Sequence, residues 1–160
     1  MRFDSHEWRQ ERNRKLREWV QDDDAVELIL AWSDAAEFFD DVVDRDKVIP
    51  YEKTARVLFN AFTEVPINPF FERFKYQLIP VLITGINAWL DSNELEKGTQ
   101  NDRVFSYVMR DYYMEIVPFV VYLTRGKKVM RQLSIEIREF FTHHEDLSQY
   151  LGELNRRNGS

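Results

Sequence analysis

The chain contains no cysteine. That excludes disulfide staples and thiolate chemistry. Glycine and proline number only 5 each, too few for a turn-dense β sandwich or a low-complexity segment. Long apolar runs are also missing. The longest, from Ile116 to Leu123, is too short to span a bilayer, and no apolar leader follows Met1. The sequence therefore predicts a cytoplasmic protein with no membrane partner. A basic excess is lacking as well. The net charge is −6, which argues against a dedicated nucleic-acid binder, because such proteins draw affinity from phosphate neutralisation. There is no glycine-rich phosphate loop, no nucleophile elbow and no zinc-ligand spacing.

Aromatic residues are abundant. The 12 Phe, 7 Tyr and 4 Trp make up 14% of the chain, and a disordered chain is aromatic-poor. The 160 residues suit one domain over 1–160 with a core of its own. Charge is segregated along it. Residues 1–20 carry a net +2, residues 21–46 a net −9, and residues 47–160 a net +1.

The apolar pattern is helical almost throughout, with no useful β alternation. It predicts an all-α bundle of six to seven helices. A basic amphipathic helix opens the chain over 1–20, with Trp8, Leu16 and Trp19 on one face. Asp22, Asp23 and Asp24 break it and cap a second helix to about residue 46. A third runs over about 50–64. The prolines at 66 and 69 mark a loop, with Asn68 as the next N-cap and Pro69 at the first helical position. The fourth and fifth helices, about 69–96 and 101–124, form a central antiparallel pair, because the turn between them is short. Val104, Phe105, Val108 and their neighbours make the fifth apolar all round, which predicts burial. Gly126 ends it. A sixth helix spans about 127–143 and a short seventh about 146–154, followed by a frayed tail over 155–160. The histidines at 143 and 144, followed by Glu145, read as a helix end, where imidazole suits the dipole.

Five groups of residues are candidates for chemistry or contact. Asp34, Glu37, Asp41 and Asp44 are spaced to share one stripe of the second helix, about 80° wide at roughly 100° per residue. Opposite an apolar face, such a row reads first as solvated, although its like-charge spacing calls for a counter-ion or a basic partner. Asp34 with Glu37, and Asp91 with Glu94, follow the same A-W-x-D-x-x-E echo. Two such pairs on two helices would share a magnesium or manganese ion, as carboxylates do in all-α pyrophosphohydrolases. The glutamate-rich pairs of those enzymes are missing, so no family is assigned.

A polar strip of Thr84, Asn87, Asp91, Arg103, Arg110 and Asp111 on the central pair outlines a pocket or an ion-paired seam, with Asp91 set opposite Arg103 by height. The basic first helix is expected to dock on the acidic second, within the chain or across a dimer. Trp8, Trp19 and Trp32 are the expected interface aromatics. The preferred functional reading is a small interaction or accessory protein without a cofactor. It would self-associate and present the acidic 22–46 face to a basic partner. The alternative is a magnesium- or manganese-dependent hydrolase of a phosphorylated small molecule such as a nucleotide. It would use Asp34, Glu37, Asp91 and Glu94, with Arg103 or Arg110 on phosphate.

Overall fold

A computed structural model describes residues 6–44, 48–142 and 146–158. About 90% of them are helical, and no strand occurs among them. The helices are α1 (His6–Val20), α2 (Asp23–Asp44), α3 (Tyr51–Phe59), α4 (Pro69–Leu95), α5 (Gln100–Met109), α6 (Ile116–Phe141) and α7 (Leu147–Asn158). This is the all-α bundle that the periodicity predicts. No described helix is long and apolar enough to cross a membrane.

The helix starts follow from local chemistry. Gln21 takes a left-handed φ of 56°, and the Asp22 carboxylate accepts from the Ala25 amide at 2.9 Å, so α1 stops and α2 begins at once. Arg125 donates to the terminal carbonyls of α1 at Trp19 (2.8 Å) and Glu18 (3.3 Å), where a cation suits the helix dipole. The Asn68 side chain accepts from Phe71 N at 2.9 Å, with Pro69 at the first helical position. A capping box of Thr99 and Asp102 starts α5.

Two breaks fall elsewhere than the sequence pattern places them. The segment around Pro66 is not a loop. α3 runs on through a π-helical turn (Asn60–Glu64) and one α turn (Val65–Ile67), and leaves helical geometry only at Asn68. A π turn changes which amides need partners, so a proline without an N–H is tolerated. The expected helix over 101–124 is divided instead. α5 ends at Met109, a 3₁₀ turn covers Tyr112–Glu115, and α6 starts at Ile116. Pro118 favours this break. Inside a continuous helix its ring would clash with the Met114 carbonyl. In the first turn of a new helix its missing N–H costs nothing. Gly126, with φ 84° and ψ 171°, kinks α6, at the residue the sequence marks as a stop. α7 runs on to Asn158, past the expected end at 154. His143, His144 and Glu145 lie outside the described residues.

The core gathers one face each of α1, α2, α4 and α6. Leu16, Trp19, Val20, Val26 and Ile29 meet Ile116, Val117, Val120 and Ile137 there. Trp8 stacks on Phe140 with ring centres 6.1 Å apart, and Trp19 meets the same ring edge-on at 5.5 Å. α4 turns small residues inward. Gly85, Ala88 and Ser92 are buried, and a Cβ built on Gly85 would lie 2.9 Å from the Tyr113 Cα. The 3₁₀ turn therefore sits directly on the α4 backbone. Gly85→Ala should lower stability by about 1–3 kcal/mol in urea melts, because backbone must move to admit the methyl. Gly152→Ala in α7, where a Cβ meets nothing within 4 Å, should raise it by about 0.5–1 kcal/mol through helix propensity.

Candidate functional site

The acidic row of α2 is not a solvated face. It lies between two basic helices. From α1, Arg9 reaches Glu37 at 3.2 Å and Arg12 reaches Asp34 at 3.7 Å. From α3, Lys53 bridges Glu37 and Asp41 at 2.7 Å each, and Arg56 lies 3.5 Å from Asp34. The docking of α1 on α2 thus occurs within the chain. Arg12 is buried and also donates to the Ser33 hydroxyl at 3.1 Å. Burial pulls its pKa below the usual arginine value, and Asp34 offsets part of that. Burial likewise lowers the Lys53 pKa, but hydrogen bonds to Asp41 and Glu37 outweigh it and hold the ammonium above its ordinary range. Sequence reasoning called for a counter-ion and missed Lys53. The signal was present, since Arg9 with Arg12, and Lys53 with Arg56, repeat the three-residue spacing of Asp34 with Glu37. The Asp44 side chain lies outside the described residues.

The two carboxylate pairs are not brought together. Asp34 and Glu37 are engaged by bases, whereas Asp91 and Glu94 are exposed on α4, Glu94 paired with Lys97 at 2.8 Å. Among the described residues no three Asp, Glu or His side chains converge as metal ligands would. The Asp91–Arg103 seam does not form either. α4 is rotated so that its small residues face inward, which carries Asp91 outward to accept from Asn87 at 2.9 Å. Thr84, also exposed, bonds the Val81 carbonyl of its own helix at 2.9 Å. Arg103 donates to Asn155 of α7.

Arg110 and Asp111 line a cleft of about 860 Å³ between α2, α4, the 3₁₀ turn and α7. That size lies in the roughly 300–1,000 Å³ range of small-molecule sites. Trp32 and Trp89 stand on its walls, from α2 and α4. The Trp32 N–H donates to the Tyr113 carbonyl at 3.0 Å, and the Trp89 N–H to Asp40 at 3.4 Å. Tyr150, beneath the Arg110 guanidinium at 5.0 Å, donates to Glu96 at 2.9 Å and lies 2.6 Å from the Ser106 hydroxyl. Burial pushes the Tyr150 hydroxyl up to about 12, with Ser106 acting downward and Glu96 upward, so the phenol keeps its proton. Its one hydrogen goes to Glu96, and Ser106 therefore donates to Tyr150. Trp32 and Trp89 are the two tryptophans of the A-W-x-D-x-x-E echo, so the repeat marked this pair although its acids do not meet, while Tyr150 carries no motif.

Trp8 and Trp19 are 4% and 1% exposed, which corrects their expected role as interface aromatics. Their rings pack the core between α1 and α6. Trp32 is half-buried in the cleft wall. Exposed apolar surface starts at the cleft, whose lining includes Ile86 and Leu90, and continues along α4. On α4, Ile79, Ile83, Ile86 and Leu90 are 41 to 60% exposed. On α5, Phe105 and Val108 reach 64%, against the burial predicted from an all-round apolar pattern. α5 packs on α4 and α7, and the side that carries Phe105 and Val108 faces out. A second group, Leu58, Phe59 and Phe62, is exposed on α3 and its π turn. Comparison with family models, with curated proteins and with solved structures finds no match for this chain.

The ion cluster should be stabilising. Asp34→Asn combined with Glu37→Gln should lower stability by roughly 1–3 kcal/mol, since charged donors lose their acceptors. This reverses the gain expected if the row were solvated. Because the Lys53 pKa is raised by folding, its contribution is fully present below the ordinary lysine value near 10.4. It is lost as pH rises through the higher folded value. Urea melts from pH 7 to 11 should show a steeper alkaline loss for the native chain than for Lys53→Met.

Proposed function

We propose that this protein works by binding protein surface, as a small, self-associating helical interaction protein of the cytoplasm. The observation that carries the reading is the exposed aliphatic row of α4, Ile79, Ile83, Ile86 and Leu90. A monomeric soluble protein rarely leaves such a row in water, and contiguous apolar surface of this kind marks interaction sites. The row also lies on the longest described helix, a rigid element of the sort that interfaces use.

The location of the contact shifts from the first expectation. A basic partner seated on the α2 acids would have to displace Arg9, Arg12, Lys53 and Arg56 from them. An aliphatic helix face asks instead for an apolar partner, and homodimer interfaces are more apolar than the general protein surface. The hydrolase alternative draws less support. Its α2 carboxylates already hold three arginines and a lysine, and its α4 carboxylates stand apart from them.

Light scattering of the purified chain at micromolar concentration should return twice the chain mass. The dimer should persist in high salt, because apolar burial is not screened. A monomeric mass at every concentration tested would overturn the reading.

A further inference from the structure

We propose that the occupant of the exposed α4 face is the α4 helix of a second copy, running antiparallel. Arg73 of each chain then faces the partner's Glu94. This inference rests on the self-associating reading and specifies its partner and geometry.

The argument starts from spacing. Tyr76, Ile79, Ile83, Ile86 and Leu90 follow one another at intervals of three, four, three and four residues. That is the alternation of core positions in a two-helix seam. In a monomeric bundle such a stripe would face inward. Here all five are exposed, Tyr76 most of all, while the inward face is built from Leu78, Gly85, Ala88 and Ser92. α4 is thus apolar on two sides and has a partner on one.

Charge then selects the direction. The positions that flank the stripe on one side are residues 73, 80, 87 and 94, here Arg73, Pro80, Asn87 and Glu94. The row has a cation at one end, a carboxylate at the other and no charge between. In a parallel pairing this flank faces the partner's other flank, residues 75, 82, 89 and 96, which sets Arg73 near the partner's Lys75 and Glu94 near the partner's Glu96, like on like. An antiparallel pairing sets each Arg73 against the partner's Glu94, and flanking charges of this kind fix orientation in paired helices. The core layers agree with that register. Ile79 packs on the partner's Leu90, and Ile83 on the partner's Ile86, about a two-fold axis near Gly85. The arrangement is isologous and closes at two copies, so no filament follows. The present partners of these ends give way readily. Glu94 holds Lys97 in an exposed surface pair, which is worth little, and Arg73 lies over the Phe74 ring at 4.9 Å.

The test is sedimentation equilibrium of the full chain and its variants, with circular dichroism to verify helix content. Ile83→Glu should make the chain monomeric, because a carboxylate enters the seam beside the axis. Phe62→Glu, on the other exposed apolar group, should leave the dimer intact. Arg73→Glu and Glu94→Arg should each weaken the dimer about two- to fivefold, and the double reversal should return it to the native value. A native chain that is monomeric throughout overturns the self-association reading and this pairing with it. A native dimer that Ile83→Glu leaves unchanged overturns the α4 pairing alone. Loss of the dimer in Ile83→Glu, with no recovery in the double reversal, overturns the antiparallel register.

Discussion

The acidic flank of α2 is held on both sides by cations, and the rest of the fold depends on that clamp. Lys53 joins Glu37 to Asp41, Arg9 shares Glu37, and Arg12 and Arg56 share Asp34. Without the bases, a row of carboxylates at helical spacing would repel itself. With them, α1, α2 and α3 become one unit. α2 can then turn Val26 and Ile29 into the core and hold Trp32 and Asp40 toward α4. Asp40 meets the Trp89 N–H, and Asn68 at the head of α4 donates to the Asp24 carbonyl at 2.8 Å. The placement of α4, and so of its exposed face, is set from α2. The segregation of charge in the sequence is the one-dimensional trace of this clamp.

The fold elements that local chemistry decides were legible in the sequence. The Asp22 cap, the Asn68–Pro69 start and the stop at Gly126 each depend on one or two residues whose backbone preferences are strong. The break before Pro118 was not legible. A proline inside an apolar stretch can kink a helix or begin a new one, and the choice rests on whether the preceding turn has packing to support it. Here the close seat of Tyr113 on Gly85 supplies that support, and the contact joins residues far apart in the chain.

The candidate site was legible only in part, for a related reason. Periodicity says which residues share a helix face, but not which face meets which neighbour. On α4 the ambiguity is complete. Leu78, Val81 and Leu82 form one apolar side, and Ile79, Ile83, Ile86 and Leu90 another, so the pattern alone predicts a buried helix. The small residues decide the matter. Gly85, Ala88 and Ser92 let another backbone approach closely, so that side goes inward and Asp91 goes out. The same reasoning moves Trp8 and Trp19 from surface to core. An indole counted as interface stock is equally good core stock, and the α6 phenylalanines at 140 and 141 were there to receive them.

The aromatic and aliphatic excess of the chain is thus divided between two uses. Trp8, Trp19, Phe140 and Phe141 consolidate the α1–α6 contact in the interior. The isoleucines of α4 and Phe105 of α5 lie outside it, on helices already fixed by caps, by a small-residue seam and by the α2 clamp. The α4 face is therefore preformed, and a partner that covers it need not order it first. Preformed surface keeps the ordering cost of association low, which favours the pairing proposed for this face.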